Sequence, residues 1–514
     1  MRQSSAEVAL TVEFKRHMRY VPHRHCPKRC SEHGACVANA NVASKVDSVG
    51  NSAVRASSFS CICDPFYSGE ACEISTSPTC YNNCSGRGKC VDGFCVCASP
   101  FFGPACAYSP TVEPMPPSRR RFRLHVYDLD PLVLRRATYG SDPDPIFNTY
   151  HTFMQHLLAD SASLTASPDD ADLLLVPAFG TNMDKLIEYY EHAYEQISTS
   201  FPQLWAKHGG ADHVWFSSAD GGGCDLFNAH ALPHLQRSLV LAHYLKLNAS
   251  DGKCGTPERS VAVPPNVPPV ATASFLATGE TPMAQRRLDF FFAGNVPDAH
   301  LVDETSDDAL AREAYSEGVR HLIWKHHRTR SNYRVVSRSR SYMQDWGASK
   351  FCLAPLGVGW GVRLIWSIVG GCIPVLASTE VAPFFDNAIN YGSMALRGIP
   401  KATLPSLHHT LSSIPIASLE RMHSSLLAHR LLFLWDSPSG GFAYNVTMHE
   451  LCVRAPSQRR TGSCASLLPR AAASLVLPAA SRAGATRPRG QARVRGTHGG
   501  TTMRKRPARV ANVG

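Results

Sequence analysis

Apolar and polar residues alternate in blocks through residues 122–453, and the blocks have two different periods. Short, largely apolar runs such as His213–Ser217 and Leu288–Ala293 predict buried parallel strands, because both faces of such strands are covered. Longer amphipathic stretches such as Asn148–Leu158 and Asp184–Ser198 predict helices. The alternation of strands and helices predicts an α/β protein built from layers of helix on parallel sheet.

The other predicted elements divide this region into two series. Further strands are predicted at Phe122–Leu129, Ala171–Pro177, Phe351–Ala354 and Ile373–Ala377, and further helices at Leu404–Ala428 and Ala443–Cys452. We therefore expect an N-terminal Rossmann-like half over residues 122–280 and a C-terminal half over residues 281–453.

A strand, a glycine-rich loop and the start of a helix are predicted around Arg363. The loop glycines, Gly357, Gly359 and Gly361, alternate with larger residues, so the backbone can approach a ligand closely. Free helix N–H groups and the Arg363 guanidinium would then meet at one place, which suits a diphosphate. Lys350 either adds positive charge there or is a solvated lysine. A purely structural βαβ unit is the alternative.

Twelve of the eighteen cysteines lie between residues 26 and 106, in two sets of six with the shared spacing C-x3-C-x5-C and, after a variable gap, C-x-C-x8-C. Such units indicate disulfides and an oxidising compartment, whereas a zinc site would want paired C-x2-C spacing, which is absent. The two sets are Cys26, Cys30, Cys36, Cys61, Cys63 and Cys72, and Cys80, Cys84, Cys90, Cys95, Cys97 and Cys106. The other six, whose pairing the spacing does not reveal, are Cys224, Cys254, Cys352, Cys372, Cys452 and Cys464.

The formal net charge of +11 belongs to the C-terminal tail, because thirteen Arg and Lys residues and no acidic residue follow from Arg454 onward, which leaves −2 before it. We expect residues 454–514 to be disordered, and no nucleic-acid partner, because the folded body has no basic surplus. The tail either binds acidic polymers weakly or reflects a misassigned gene end.

Residues 1–25 are also expected to be disordered, and residues 108–121 to form a Pro-rich linker. Met1–Arg29 lacks the apolar core of a signal peptide, and no run of 18 apolar residues occurs. Because the cysteines indicate an oxidising compartment, we infer that the start of the sequence is incomplete or that its targeting segment is atypical.

The two cysteine sets resemble tandem EGF-like modules over residues 26–73 and 80–107. Each set has an aromatic-glycine turn before its last cysteine, at Phe66–Gly69 and Phe101–Gly103. The resemblance implies that the first cysteine pairs with the third, the second with the fourth and the fifth with the sixth. It also implies that a protein partner would bind through these modules. No calcium is expected, because the acidic signature ahead of the first cysteine is missing.

A series of motifs runs in order through the α/β region, including Ser-Lys-Phe-Cys-Leu-Ala-Pro at 349–355 and Gly-Cys-Ile-Pro-Val at 371–375. The others are Leu124–Leu129, Asp169–Pro177, Asp212–Cys224, Gly255–Pro264, Arg287–Asn295 and Pro383–Phe384. Together they resemble the exostosin-like glycosyltransferases, inverting family 47, whose algal members also carry EGF-like modules.

This resemblance implies a GT-B fold of two Rossmann-like domains behind two small disulfide-rich modules. It places a nucleotide-sugar donor, hexosyl or pentosyl, in the C-terminal half and a polysaccharide or glycoprotein glycan acceptor in the N-terminal half. It also implies inverting transfer without a metal or other cofactor, in the Golgi membrane or lumen of the secretory pathway. Asp142 and Asp144 have the spacing of a metal-binding D-x-D motif, but they lie in a proline-rich turn, and we expect no metal there.

Sugar transfer needs a base for the acceptor hydroxyl and stabilisation of the departing diphosphate. We assign the second task to Arg363 and the loop backbone over residues 357–361. Asp220 is our candidate base, because it follows the strand His213–Ser217 and strand ends face the ligand crevice of α/β proteins. A turn aspartate that caps its own loop is the alternative. His213 is expected to be a packed residue at the strand edge.

Trp366 departs from the family pattern, because the resemblance places there a glutamate that binds the donor ribose. An indole only donates hydrogen bonds. Either Trp366 stacks on the donor base or sugar, or activity is reduced or lost. In the second case the chain would be a non-catalytic secreted or membrane-associated carbohydrate-binding protein. Within the secretory pathway, Asn248 and Asn445 begin sequons for N-glycosylation.

Overall fold

Two small disulfide-bonded modules precede an α/β body with two parallel sheets. The computed structural model describes residues 19–20, 24, 26–32, 34–38, 59–63, 67–68, 70–71, 73–75, 80–91, 94–110, 121–129, 147, 149–178, 183–228, 232–246, 254–267, 269–357, 359, 361–378, 380–435, 440–456 and 463–478.

The two N-terminal modules consist of short antiparallel strands. The strands are β1 (Arg19–Tyr20), β2 (Gly34–Ala38), β3 (Phe59–Cys63), β4 (Tyr67–Ser68), β5 (Ile74–Ser75), β6 (Gly88–Val91) and β7 (Phe94–Cys97). Disulfides join Cys26–Cys36, Cys30–Cys61, Cys80–Cys90, Cys84–Cys95 and Cys97–Cys106, in the order that the EGF resemblance implies. Cys72 lies outside the described residues. Strand β1 pairs with β2, so the expected disorder of residues 1–25 is wrong for Arg19 and Tyr20.

The first sheet of the body is parallel and has the strand order β12-β11-β10-β9-β8. Its strands are β8 (Leu124–Val126), β9 (Leu173–Leu175), β10 (His213–Ser217), β11 (Leu239–Ala242) and β12 (Ser260–Ala262), and its helices are α1 (Thr149–Ala159), α2 (Met183–Ser200), α3 (Pro202–His208) and α4 (Gly222–Asn228). All residues of β9, β10 and β11 are buried, which explains their mainly apolar composition.

The second sheet is also parallel and has the order β14-β13-β15-β16-β17. Its strands are β13 (Leu288–Ala293), β14 (Tyr333–Val336), β15 (Ser349–Leu353), β16 (Ile373–Leu376) and β17 (Leu396–Arg397). The helices are α5 (Pro269–Gly279), α6 (Asp307–Leu310), α7 (Val319–His327), α8 (Tyr342–Gly347), α9 (Arg363–Val369), α10 (Leu407–Ser412), α11 (Ile416–His429) and α12 (Ala443–Arg454). Two helix-covered parallel sheets behind disulfide-rich modules confirm the predicted fold class.

Two helices cross the domain division that the sequence predicts. Helix α5 packs on the second half, where Phe275 contacts Trp346 and Trp366 and Gly279 lies against Gly370. The second half therefore begins before residue 269 rather than at residue 281. Helix α12 returns to the first half, where the Tyr444 hydroxyl donates to Asp160 at 3.0 Å.

Part of the C-terminal tail is ordered, contrary to the prediction of disorder from residue 454. The short helix α13 (Arg470–Ala473) buries Ala472, and the backbone N–H of Leu477 donates to Ala388. A disulfide from Cys452 to Cys464 anchors this segment to α12. The prediction failed because it rested on composition, which cannot detect a covalent anchor. The other two pairs in the body are Cys224–Cys254 and Cys352–Cys372.

The second module packs directly on the first half of the body. The Tyr81 hydroxyl hydrogen-bonds Nδ1 of His151 on helix α1, and the Asn82 N–H donates to Gln155 Oε1 at 2.9 Å. The Tyr108 hydroxyl donates to the Val126 carbonyl at 3.0 Å and accepts from its N–H at 2.8 Å. This module is therefore docked on the body, although residues 111–120 of the predicted linker lie outside the described residues. Across the described helices, none combines the length and apolar character needed to cross a bilayer.

Candidate functional site

A cleft lies at the carboxyl edge of the second sheet. Its walls come from the segments that follow β15 and β16, from the segment before α7, and from His243 after β11 of the first half. Ligands of open α/β proteins bind beyond the carboxyl ends of the strands, so this is the expected place for a site.

The glycines of the loop accommodate the protein's own backbone. A Cβ added at Gly359 would lie 1.7 Å from the Asp220 carbonyl oxygen, and one at Gly361 would lie 2.2 Å from the Pro355 carbonyl oxygen. Gly357 donates its N–H to the Gly359 carbonyl at 3.2 Å. We predicted that these glycines let the backbone approach a ligand. At Gly359 the backbone instead approaches Asp220 in the first half of the body.

Arg363 begins helix α9 and is half-buried, with its guanidinium over the Phe292 ring at 5.6 Å. Its Nε donates to the Ala293 carbonyl at 2.8 Å, which fixes the guanidinium at the end of β13. Within the described residues, the two terminal nitrogens have no hydrogen-bond partner. Their four N–H groups are thus oriented and available to an anionic ligand.

Arg320 is a second arginine at this edge, and no motif in the sequence predicted it. It is only 2% exposed, and its Nε and Nη2 donate to the Leu356 carbonyl at 3.0 and 2.7 Å. Its Nη1 donates to the Asn295 carbonyl at 3.1 Å and to the Tyr315 hydroxyl at 2.8 Å. Burial, together with the nearby positive charge of Arg363, lowers the pKa of Arg320 to about 10, so it stays cationic at neutral pH.

The two arginines place two positive charges at this edge. Neither forms an ion pair with a carboxylate among the described residues, although buried charges are usually paired. Each is held instead by neutral carbonyl groups, which orient the guanidinium without cancelling its charge. The arrangement suits a ligand that carries more than one negative charge.

Lys350 is not part of this site. It is the second residue of β15, roughly 10 Å along the strand from the carboxyl end. Its Nζ pairs with Asp289 Oδ1 at 2.8 Å. The prediction of added charge at the loop fails, because the loop follows the opposite end of the strand.

Trp366 lies on the face of α9 that packs against α5. Its ring stacks on Phe275, with the centroids 4.5 Å apart and the planes at 22°. Trp366, like Arg363 and Arg320, is not among the described residues that line the cleft. The expected stacking on a donor base or sugar is disfavoured, because Phe275 already covers one face of the ring.

The first half contributes two residues at the ends of adjacent strands. Asp220 follows β10 and is half-buried, with its backbone against Gly359. His243 follows β11 and lines the cleft, and its Nδ1 lies 2.8 Å from the Val263 carbonyl. Because a carbonyl only accepts, Nδ1 carries the proton and Nε2 holds the lone pair. Burial lowers the pKa of His243 to about 4, so the ring is neutral at neutral pH.

His213 sits at the start of β10, away from the cleft. It is fully buried, with Nε2 2.9 Å from the Tyr127 hydroxyl and Nδ1 2.9 Å from Asp212 Oδ1. These contacts fit the packed role expected for His213. Asp142 and Asp144 lie outside the described residues, and the groups of three metal-capable side chains found in the described part of the chain are all cysteines of the two modules.

The Asn445 sequon lies inside helix α12. The Asn445 amide donates to the Leu467 carbonyl at 3.1 Å, and Thr447 is fully buried. A glycan on this nitrogen would disrupt the contact with the ordered tail segment, so the predicted glycosylation of Asn445 is disfavoured in the folded chain. Asn248 lies outside the described residues.

Comparison with known proteins identifies two regions. A family model described as the Exostosin GT47 domain matches residues 118–414, and one described as the Tenascin EGF domain matches residues 79–107. A probable glucuronosyltransferase of Oryza sativa subsp. japonica is 27% identical over 360 residues, which is 65% of this chain and 82% of the relative. The rice probable glucuronosyltransferase GUT1 is 27% identical over 66% of this chain and 82% of its own length. The probable beta-1,4-xylosyltransferase IRX10L of Arabidopsis thaliana is 25% identical over 66% of this chain and 83% of its own length.

Proposed function

This chain belongs to the exostosin GT47 family and is a glycosyltransferase, and we propose that it transfers a sugar, with inversion, from a nucleotide-diphosphate sugar to a polysaccharide or glycoprotein glycan. The observation that carries this proposal is the pair Arg320 and Arg363, which stand together at the carboxyl edge of the second sheet without a carboxylate partner among the described residues. The names of the relatives make glucuronic acid and xylose the first donor sugars to test.

The diphosphate would bind to Arg363. Nε is held by the Ala293 carbonyl, the two terminal nitrogens have no hydrogen-bond partner among the described residues, and a guanidinium fork matches phosphate oxygens. Arg320 would act in two ways. It would hold the loop carbonyl of Leu356 in place, and its positive charge would stabilise the negative charge that develops on the leaving group.

We propose Asp220 as the base, on the acceptor side of the cleft. The acceptor hydroxyl oxygen attacks the anomeric carbon, and its proton passes to the Asp220 carboxylate. The bond from the anomeric carbon to the diphosphate oxygen breaks, and the electron pair leaves with the diphosphate. Attack opposite the leaving group inverts the configuration. The contact of Asp220 with Gly359 supports this role, because it keeps the carboxylate's strand end beside the donor loop.

We propose that the chain works in the secretory pathway, in the Golgi membrane or lumen. Eight disulfides among the described residues support this, because such bonds persist in oxidising compartments. A protein partner of the EGF-like modules would contact the first module or the outer side of the second, since the inner side of the second is docked on α1.

A donor screen on the full chain tests the proposal. Thermal unfolding is measured with UDP-glucuronic acid, UDP-xylose, UDP-glucose and GDP-mannose, and at 100 times its Kd a true donor adds about 2.7 kcal/mol to the free energy of unfolding. Arg363→Ala should remove this stabilisation, and Arg421→Ala, on the exposed face of α11, should keep it. If no donor stabilises the wild-type chain, the proposal fails.

A further inference from the structure

Two serine hydroxyls in the cleft lack partners among the described residues. Ser316 is 1% exposed, and Ser378 follows β16. Both line the cleft, and the Oγ atom of each is buried without a hydrogen bond. Buried hydroxyls in folded proteins are nearly always bonded, so two such atoms on residues that line one cavity point to a ligand or water that completes them.

Glu317 lines the same part of the cleft. In the described part of the chain it has no ion-pair partner. Its negative charge reaches Tyr244 of the first half, where burial and the charges of Glu317 and Glu380 raise the pKa of the phenol to about 12. A carboxylate here would repel a diphosphate, but it would accept hydrogen bonds from hydroxyl groups.

The backbone holds these groups next to the glycine loop. Ser316 and Glu317 have φ of 57° and 52°, in the left-handed region, and the Ser316 N–H donates to the Gly357 carbonyl at 3.0 Å. Along the sheet edge, Arg363 lies at the end of β13, the glycine loop follows β15, and Ser378 follows the neighbouring strand β16. Ser378 thus lies on the far side of the loop from Arg363, and Ser316 is joined to the loop itself through Gly357.

We propose that Ser316, Glu317 and Ser378 form a hydroxyl pocket, which binds the hydroxyl groups of a sugar ring attached to the diphosphate. Serine hydroxyls donate and accept hydrogen bonds, and the Glu317 carboxylate accepts them. These groups match a sugar ring, because each hydroxyl of the ring also donates and accepts hydrogen bonds. The proposal rests on the proposed function, because it needs a nucleotide-sugar at the arginine pair. The ring is either the ribose of the nucleotide or the transferred sugar.

Affinity measurements on the full chain test the pocket. The probes are UDP, GDP, ADP and CDP, the 2′-deoxy and 3′-deoxy forms of the best binder, and the UDP-sugars named above. The variants are Ser316→Gly, Ser316→Ala, Glu317→Gln and Ser378→Ala. Each should weaken binding about 3- to 10-fold, the loss of one hydrogen bond to a hydroxyl. Controls are Ser198→Ala and Glu195→Gln, on the exposed face of α2.

Ser316→Gly separates binding from folding. Glycine tolerates positive φ, so this variant should unfold at or above the wild-type temperature while its affinity falls. If the variants weaken nucleoside diphosphates and the effect disappears with a deoxy form, the pocket binds the ribose. If they weaken only UDP-sugars, it binds the transferred sugar.

Two results would overturn the inference in different ways. Variants that bind every probe as tightly as the wild type would show that the pocket holds only water, although the proposed function would stand. A wild-type chain that binds no probe would overturn the proposed function, and the hydroxyl pocket with it.

Discussion

Gly359 in the donor half lies against Asp220 in the acceptor half, so closely that a Cβ at Gly359 would stand 1.7 Å from the Asp220 carbonyl oxygen. Such a distance is impossible without movement of the backbone. The loop that begins the donor site therefore also sets how near the proposed base comes to it. In this chain, the lack of a side chain at Gly359 allows the two halves to contact each other.

Gly359→Ala should push the two halves apart. Overpacking of this kind costs typically about 1–3 kcal/mol, and here the obstacle is backbone on both sides, so we expect the upper end. Chemical denaturation should show the lower stability, and sugar transfer should fall more than donor binding, because the acceptor side moves away. Gly392→Ala is the matched control, since its Cβ would meet only the Asn390 side chain at 3.4 Å. Equal stability of the two variants would refute the contact.

Arg320→Lys should lower both stability and donor affinity, although the charge is kept. A lysine ammonium cannot reach the carbonyls of Leu356 and Asn295 and the Tyr315 hydroxyl together, as the guanidinium does. Hydrogen bonds from charged groups contribute about 1.5–3 kcal/mol, so a loss of about 2 kcal/mol is expected in denaturant unfolding. Arg421→Lys, on the exposed face of α11, should change stability by less than about 0.5 kcal/mol. An unchanged donor Kd in Arg320→Lys would argue against the role of Arg320.

The strands of the body could be predicted from sequence because parallel strands buried on both faces leave short apolar runs. His213–Ser217 and Leu288–Ala293 were predicted with their observed bounds for that reason. Strands β11 and β12 were not predicted, because their runs of strand residues are only four and three residues long and lie among turns and prolines.

The site was harder to predict than the fold, because its contacts join distant residues. Arg320 binds carbonyls 25 and 36 residues away, and nothing in its local sequence marks it as buried. Lys350 was predicted to bind the donor because it precedes the loop in sequence. A strand separates Lys350 from the loop, and its ammonium group pairs with Asp289. Trp366 has its partner, Phe275, within the range that the sequence analysis assigned to the other half.

Tyr81→Phe tests whether the second EGF-like module and the body form one cooperative unit. The change removes only the hydroxyl that bonds His151, a half-buried pair between the module and α1. We expect a loss of about 1 kcal/mol in a single unfolding transition, because module and body share this interface. Tyr194→Phe, on α2, is the control, because within the described residues its hydroxyl has no hydrogen-bond partner. Two separate calorimetric transitions in the wild type would contradict a shared unit.

Acidification should destabilise the fold, and His243 should account for a measurable part of the effect. Burial lowers the pKa of His243 to about 4 in the folded chain, whereas an unfolded histidine titrates near 6.5. Between these two values the unfolded chain binds more protons than the folded chain, so the free energy of unfolding falls as the pH decreases. Burial lowers the pKa values of His151, His234 and His327 to about 4 as well, so the wild type should lose stability steeply in this window.

His243→Gln isolates the contribution of one ring, because the other histidines titrate equally in both proteins. From pH 7 to pH 4, the wild type should lose about 3 kcal/mol more than the variant, as follows from a pKa of about 4 against 6.5. Denaturant unfolding at half-unit pH steps measures this difference. Above pH 7 the two curves should run parallel, since the ring is neutral in both states. Parallel curves down to pH 4 would mean that His243 is solvated in the cleft, and its neutral form could then not be ascribed to burial.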